Sequence, residues 1–348
     1  MNWGLGHATR CIPIIEALLE ENAFVIIAAE GGPLELLKTE FPTLTCVNFP
    51  GYNFTYPSKG SMELQMILST PKILRGIKSE HNTLDRFIDH YRIDGVISDN
   101  RYGLWSKKVK SVFVTHQITI KANGLFKLLE PILFRINKSY IGKYDECWVP
   151  DHEGEKNLSE DLAHKKVLPN LHYIGSLSRF KKKHSTHESS RRYDLMVILS
   201  GPEPQRSIFE KIVLDQLSSS SLKALVVQGL PEGKIQSQPG VMMFPHLETD
   251  KMLEAMKSAD MILCRPGYSS IMDLEATGNK AILVPTPGQT EQEYLAKTMM
   301  EKGAFYSETQ SNFDLARSME MAKGYAGLDK NDYSDKLKKK VELFLSCL

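Results

Sequence analysis

Short apolar runs rich in β-branched residues alternate along this chain with longer segments whose apolar residues recur at helical spacing. That alternation is the pattern of parallel sheets covered by helices on both faces, so the expected class is α/β. In the first half the runs predict strands at Ala23–Ala29, Leu44–Phe49, Asp94–Ser98, Ser111–Thr115 and Glu146–Pro150. In the second half they predict strands at Asp194–Leu199, Leu222–Val227, Val241–Phe244, Met261–Cys264 and Ala281–Val284. Between the halves, Lys181–Arg192 (KKKHSTHESSRR) is polar and basic without apolar periodicity and reads as a linker or exposed loop. The expected domains are therefore 1–179 and 180–348, and the helical pattern of Asp332–Leu345 suits a segment packing back on the first domain. One place is out of pattern. A glycine turn and a helix over Ala8–Glu21 follow Met1 almost at once, whereas a nucleotide-binding fold puts a central strand before such a turn. Dropping that strand would expose its neighbours' backbone groups. The expectation is thus a start upstream of the recorded one, and the alternative is a sheet built without its middle strand.

Length supports two domains, because 348 residues exceed the size at which one core stops growing. A net charge of +1, from 43 basic and 42 acidic residues, exerts no global pull on nucleic acid, so no nucleic-acid partner is expected and any basic site is local. Cys11, Cys46, Cys147, Cys264 and Cys347 form no Cys-x-x-Cys pair, which reads as reduced thiols in a cytosolic protein without structural zinc. The apolar runs are far shorter than the roughly 20 residues of a membrane-spanning helix. No signal peptide precedes them, and a cytoplasmic location is expected.

The strongest local signal for chemistry is Cys264-Arg265-Pro266-Gly267-Tyr268-Ser269-Ser270, which leaves an apolar run and opens a helix. Amides at a helix N-terminus favour a phosphate, Gly267 permits close approach, and Ser269 and Ser270 add hydroxyl donors. The same residues also suit an ordinary strand-to-helix turn capped by serine. Asp273 lies in the next turn, where a carboxylate can accept both hydroxyls of a ribose or simply be a solvated helix charge.

The run from Phe244 to Ala296, with Met252, Ala259-Asp260, Cys264-Arg265-Pro266-Gly267, Asp273, Gly278, Pro285 and Gln292-Glu293-Tyr294, resembles the donor domain of glycosyltransferase family 28. The best-known activity of that family adds N-acetylglucosamine to a lipid-linked peptidoglycan precursor. The resemblance implies a GT-B architecture, two Rossmann-like domains facing across a cleft, with a UDP-sugar donor bound by the second half and no cofactor. It implies that Asp273 stands for the family's ribose-binding glutamate, and Gln292 and Glu293 for a Gln-Gln pair that reads the donor sugar. Asp is one methylene shorter, and Glu293 puts a charge where the family has a neutral amide. Gly175-Ser176-Leu177-Ser178-Arg179 is similar to the family's Gly-Asn-Pro-x-Arg segment, which makes Arg179 the expected cation for the pyrophosphate. Ser200-Gly201-Pro202-Glu203-Pro204-Gln205-Arg206 occupies the place of a Gly-Gly-Ser phosphate loop, with Pro202 where the serine would stand. Ser200, Gly201, Gln205 and Arg206 are the groups left to serve there.

In the first half, Trp3-Gly4-Leu5-Gly6-His7-Ala8-Thr9-Arg10 resembles the glycine-rich loop and histidine of the acceptor domain. Gly4 and Gly6 would let the loop approach an acceptor, and His7 is placed to take a proton from an attacking hydroxyl or to act as a hydrogen-bonding residue at a helix start. Asp99 follows a predicted strand and can orient His7 as an Asp-His dyad. His116-Gln117 resembles the family's His-Glu-Gln segment in the acceptor site. Gly124–Lys143 (GLFKLLEPILFRINKSYIGK) mixes Leu, Ile and Phe with Lys127, Arg135, Lys138 and Lys143. It suits either an amphipathic helix packed on the core or a peripheral contact with an anionic membrane at the inner face.

The expected activity is inverting transfer of a sugar from a nucleotide-diphosphate donor to an acceptor hydroxyl, either lipid-linked or on a glycan. The chain has no Asp-x-Asp motif, in keeping with a helix dipole rather than a metal neutralising the diphosphate. The alternatives are a nucleotide-sugar epimerase of the same architecture and a non-catalytic nucleotide-sugar-binding module.

Overall fold

The computed structural model describes residues 5–51, 62–180, 192–230, 235–330 and 335–348. Gly4 and residues 181–191 of the expected linker lie outside these. The chain divides into two compact units, one of 1–177 with 333–348 and one of 178–332. The division thus falls two residues before the expected boundary, and Ser178 and Arg179 belong to the second unit.

The first unit runs α1 (Leu5–Glu20), β1 (Ile26–Ala29), α2 (Gly31–Glu40), β2 (Thr45–Asn48), α3 (Met62–Tyr91), β3 (Gly95–Asp99) and β4 (Lys110–Val114). A 3-10 turn (Gly124–Leu129), α4 (Glu130–Ile141), β5 (Glu146–Val149) and β6 (Leu171–Tyr173) follow. All pairings are parallel, in two sheets ordered β1-β2 and β3-β4-β5-β6. Among the described residues no ladder joins β1 to β3, and the break falls where a nucleotide fold carries the strand preceding its first helix. Apolar residues one turn apart on α1, Ala8, Ile12 and Ile15, pack with Ile27 and Leu37 into one core cluster. Phe113, Ile141, Cys147 and Val149 build another around β4 and β5.

The second unit comprises β7 (Tyr193–Ile198), α5 (Gln205–Ser218), β8 (Ala224–Val227), β9 (Gln236–Gln238), β10 (Val241–Phe244), α6 (Thr249–Lys257) and β11 (Ala259–Cys264). It continues through α7 (Tyr268–Thr277), β12 (Lys280–Leu283), α8 (Thr290–Glu301), β13 (Tyr306–Ser307) and α9 (Leu315–Ala322). One sheet results, ordered β13-β12-β11-β7-β8-β10-β9, parallel except for the β9–β10 pair. β8 is buried at every position, which is why a central parallel strand reads as a continuous apolar run. The chain leaves β7 toward β8 on one side and returns to β11 on the other. A crevice at the C-terminal ends of β7 and β11 is therefore the topological switch point, where such folds bind ligands. α7 stops at Gly278, whose φ of +70° suits glycine at a helix end.

The last helix, α10 (Lys336–Leu345), belongs to the first unit. Leu337, Val341 and Phe344, at spacings of four and three residues, make its buried face. Phe344 meets the Trp148 ring edge-on at 5.9 Å, and Lys340 pairs with Glu146 at 2.8 Å. A Cβ on Gly95 would stand 2.6 Å from Phe344 Cζ, so β3 needs glycine where α10 crosses it.

Candidate functional site

In the first unit, α1 and the ends of β3 and β4 bring four side chains together. His7 Nδ1 lies 2.8 Å from Asp99 Oδ2. A carboxylate only accepts, so neutral His7 carries its proton on Nδ1 and its lone pair on Nε2. Arg10 Nε donates to Asp99 Oδ1 at 2.8 Å, and its Nη2 donates to the same oxygen. Arg10 Nη1 donates to His116 Nδ1 at 2.9 Å, so neutral His116 holds its proton on Nε2. Arg10 thereby fixes Asp99 with one side of its guanidinium and a second imidazole with the other. Burial lowers the His7 pKa and the Arg10 charge lowers it further, against the opposing pull of Asp99. Burial alone would raise the Asp99 carboxyl, but Arg10 and His7 hold it down at about 2. At neutral pH the cluster therefore pairs an ionised Asp99 with a neutral His7, the state in which an imidazole accepts a proton. Gly6 accepts a hydrogen bond from the Thr9 hydroxyl at 3.0 Å, which tightens the start of α1.

In the second unit, the loops after β7, β11 and β12 converge at the switch point. The bond from Ile271 N–H to the Gly267 carbonyl (3.0 Å) closes the first turn of α7, and the amides of 268–270 precede it at the positive end of the helix. A Cβ on Gly267 would meet only the Ser270 hydroxyl, at 3.8 Å, so this side of the turn is open. Gly201 has φ +105°, a conformation glycine adopts without strain, and a Cβ there would lie 3.7 Å from Thr286 Oγ1. That Thr286 hydroxyl is buried with no hydrogen-bond partner among the described residues. Ser200 is exposed beside Gly201.

Asp273 accepts a hydrogen bond from the Ser178 hydroxyl at 2.6 Å. Burial pushes its carboxyl up to about 6, against the nearby Arg179 charge and the Ser178 bond. Arg179 lies over the Phe180 ring at 5.0 Å. Ser178, Arg179 and Asp273 thus form one cluster, and sequence reasoning missed Ser178. It also assigned no role to Arg10, although a charged residue among the buried positions of α1 demands a partner.

Four expected donor contacts turn out to have other work. Arg265, 1 % exposed, turns inward instead of toward the open end of α7. Its guanidinium donates to the carbonyls of Val284 and Pro285 (both 3.0 Å), to the Gln205 carbonyl (3.2 Å) and to Gln310 Oε1, and lies over Phe209 at 4.2 Å. Burial lowers its pKa to about 10, so it stays charged at neutral pH. Arg265 is a hub that ties the loops after β7, β12 and β13, because its charge finds its acceptors only in the interior. Arg206 is likewise held by Glu203 (2.6 Å) and Glu210 (2.9 Å). Gln292 Oε1 accepts from Thr286 N–H at 2.8 Å, and Glu293 Oε1 from Gly288 N–H at 2.9 Å. Both acceptors brace the loop between β12 and α8.

All five cysteines are free, and burial pushes the Cys147 and Cys264 thiols up to about 12. Among the described residues, no three His, Cys, Asp or Glu side chains gather as a metal site, and no helix is long and apolar enough to cross a membrane.

Comparison with known proteins agrees with this layout. Residues 210–321 match the glycosyltransferase family 28 C-terminal domain. The chain is 22% identical over 326 residues to an uncharacterized glycosyltransferase of Methanosarcina mazei, covering 86% of this chain and 82% of that one. Over 108 residues it is 29% identical to the UDP-N-acetylglucosamine--N-acetylmuramyl-(pentapeptide) pyrophosphoryl-undecaprenol N-acetylglucosamine transferase of Mannheimia succiniciproducens, covering 30% and 29% of the two chains. The crystal structure of the kitacinnamycin glycotransferase superposes with a TM-score of 0.66 at 12% identity, covering 98% of this chain and 96% of that one. Residues 210–321, which hold most of the second unit's sheet, thus match a family 28 C-terminal domain, and the chain has the GT-B fold and the relatives of a glycosyltransferase.

Proposed function

We propose that the chain transfers a sugar from a UDP-sugar to an acceptor hydroxyl with inversion at the anomeric carbon. The observation that carries this reading is the polarised pair of His7 and Asp99, 2.8 Å apart, in a glycosyltransferase fold. The acceptor oxygen attacks the anomeric carbon, its proton passes to His7 Nε2, and the bond from that carbon to the diphosphate breaks as the new one forms. Asp99 stabilises the imidazolium that results, and Arg10 keeps Asp99 aimed.

Charge builds on the departing diphosphate. The amides at the start of α7, the open side of Gly267, the Ser269 and Ser270 hydroxyls and the Arg179 guanidinium are the groups that stabilise it in this reading, without a metal. Ser200 and the Thr286 hydroxyl beside Gly201, which has no partner among the described residues, supply further donors. Asp273 accepts the ribose hydroxyls. The relative from Mannheimia succiniciproducens is named for a UDP-N-acetylglucosamine donor and an undecaprenol-linked acceptor, which favours UDP and a lipid-linked acceptor here.

The test is release of UDP from UDP-N-acetylglucosamine with lipid-linked and glycan acceptors, together with melting of the protein in UDP. UDP raises the melting temperature of the wild type, because a ligand that binds only the folded state stabilises it. His7→Ala keeps that rise and loses transfer by about 10²–10⁴-fold. Full transfer by His7→Ala would remove His7 as the base, and turnover of the donor without any acceptor would point to epimerisation.

A further inference from the structure

We infer that Ser178 is a positioning residue of the nucleotide site, whose hydroxyl aims the Asp273 carboxylate at the ribose hydroxyls of the donor. This role rests on the donor reading proposed above and belongs to a residue that the family resemblance leaves open, since Ser178 stands at the unspecified position of Gly-Asn-Pro-x-Arg.

Ser178 is 1% exposed, and both sides of its hydroxyl are spoken for. The Phe180 N–H donates to Ser178 Oγ at 3.2 Å. An amide only donates, so this bond takes an oxygen lone pair and leaves the hydroxyl proton for Asp273 Oδ1, 2.6 Å away. Backbone on one side and carboxylate on the other thus fix the direction of the bond. Among the described residues no other group donates to that carboxylate, and Asp273 is only half-buried. A carboxylate accepts about four hydrogen bonds, so most of its capacity is left for a ligand.

An aspartate with no donor would spread over several rotamers, and a bond to a buried hydroxyl selects one of them. That selection matters for a diol, because hydroxyls stripped of water are compensated only by acceptors in line with them. The same bond helps to keep the carboxylate ionised. Burial raises the Asp273 pKa, while the Arg179 charge and the Ser178 bond lower it. The Cys264 thiol, the other titratable group facing Asp273, is pushed up to about 12 and stays neutral.

The experiment is calorimetric titration of the whole chain with UDP and with dideoxy-UDP, which lacks both ribose hydroxyls. Wild type binds UDP about 10–100-fold more tightly than the dideoxy form. Ser178→Ala weakens UDP by about tenfold and leaves dideoxy-UDP within about twofold, so the ratio of the two affinities collapses. Ser178→Thr, which keeps the hydroxyl, restores the ratio. In an Asp273→Asn background Ser178→Ala changes the ratio no further, since the two residues act as one unit. Both ligands carry the same diphosphate, so its titration cancels in the ratio. For wild type the ratio shrinks on acidification through about 6, and for Ser178→Ala the decline starts at higher pH, because a bond that lowers the Asp273 pKa has gone. A purely structural role would weaken both ligands alike. An unchanged ratio in Ser178→Ala, or equal losses for both ligands, overturns the inference while the donor reading stands. Wild type that binds no UDP, or binds both ligands equally, overturns the role given to Asp273 and this inference with it.

Discussion

At the scale of single residues, Asp99 of the first unit and Asp273 of the second are tuned in opposite directions, the one held down by Arg10 and His7 and the other pushed up by burial. Asp99 is held at about 2, so it remains ionised over the range in which an enzyme works and keeps His7 in one tautomer. His7 has its pKa lowered below 6.5, and transfer is expected to stay flat at neutral pH and fall only on acidification below that value. A pH profile of kcat/KM checks this. An acid limb above 6.5 would contradict it. Arg10→Met removes the clamp on Asp99 and His116, and the acid limb is expected to move upward as the lowering charge disappears. Asp273 behaves differently. Its folded pKa of about 6 lies above the ordinary 3.8, so the folded state binds the proton more tightly than the unfolded one. Stability therefore falls as pH rises from about 3.8 to 6, and the cost is fully present at neutral pH. Asp273→Asn is therefore expected to raise the melting temperature of the unliganded protein at neutral pH while weakening UDP binding by about 10–100-fold. Calorimetric melting and titration check the two halves.

At the scale of elements, the ten longer apolar runs mark strands that the structure contains to within three residues at either end, because buried parallel strands leave a continuous signal. β6, β9 and β13 were missed, being only three, three and two residues long, too short for any period to show. The candidate site was legible where it depends on strand ends and glycine turns: Asp99 ends β3, His116 follows β4, and Gly267 opens α7. It was not legible where side-chain direction decides the role. Arg265 stands beside the expected phosphate turn in sequence, yet the acceptors that claim its guanidinium come from loops 19 to 60 residues away. Replacing it with Met leaves several buried carbonyls without donors, and the second unit is expected to lose about 3 kcal/mol or more in urea unfolding. Gly95→Ala forces a Cβ against Phe344, so the first unit loses about 1–3 kcal/mol, and adding Phe344→Leu restores part of it.

At the scale of the whole molecule, each unit has its own core, and α10 is the piece of chain that returns to the first after the second is complete. Removing 333–348 takes Val341 and Phe344 out of that first core and is expected to lower its melting while UDP still stabilises the second unit. Calorimetry with and without UDP separates the two effects.

The return of α10 also bears on how the chain is made. Domains usually fold in the order in which they leave the ribosome. Here the earlier unit waits for residues 336–345, so the later-synthesised unit is the one able to finish first, leaving the nascent N-terminal portion in need of protection until translation has passed them.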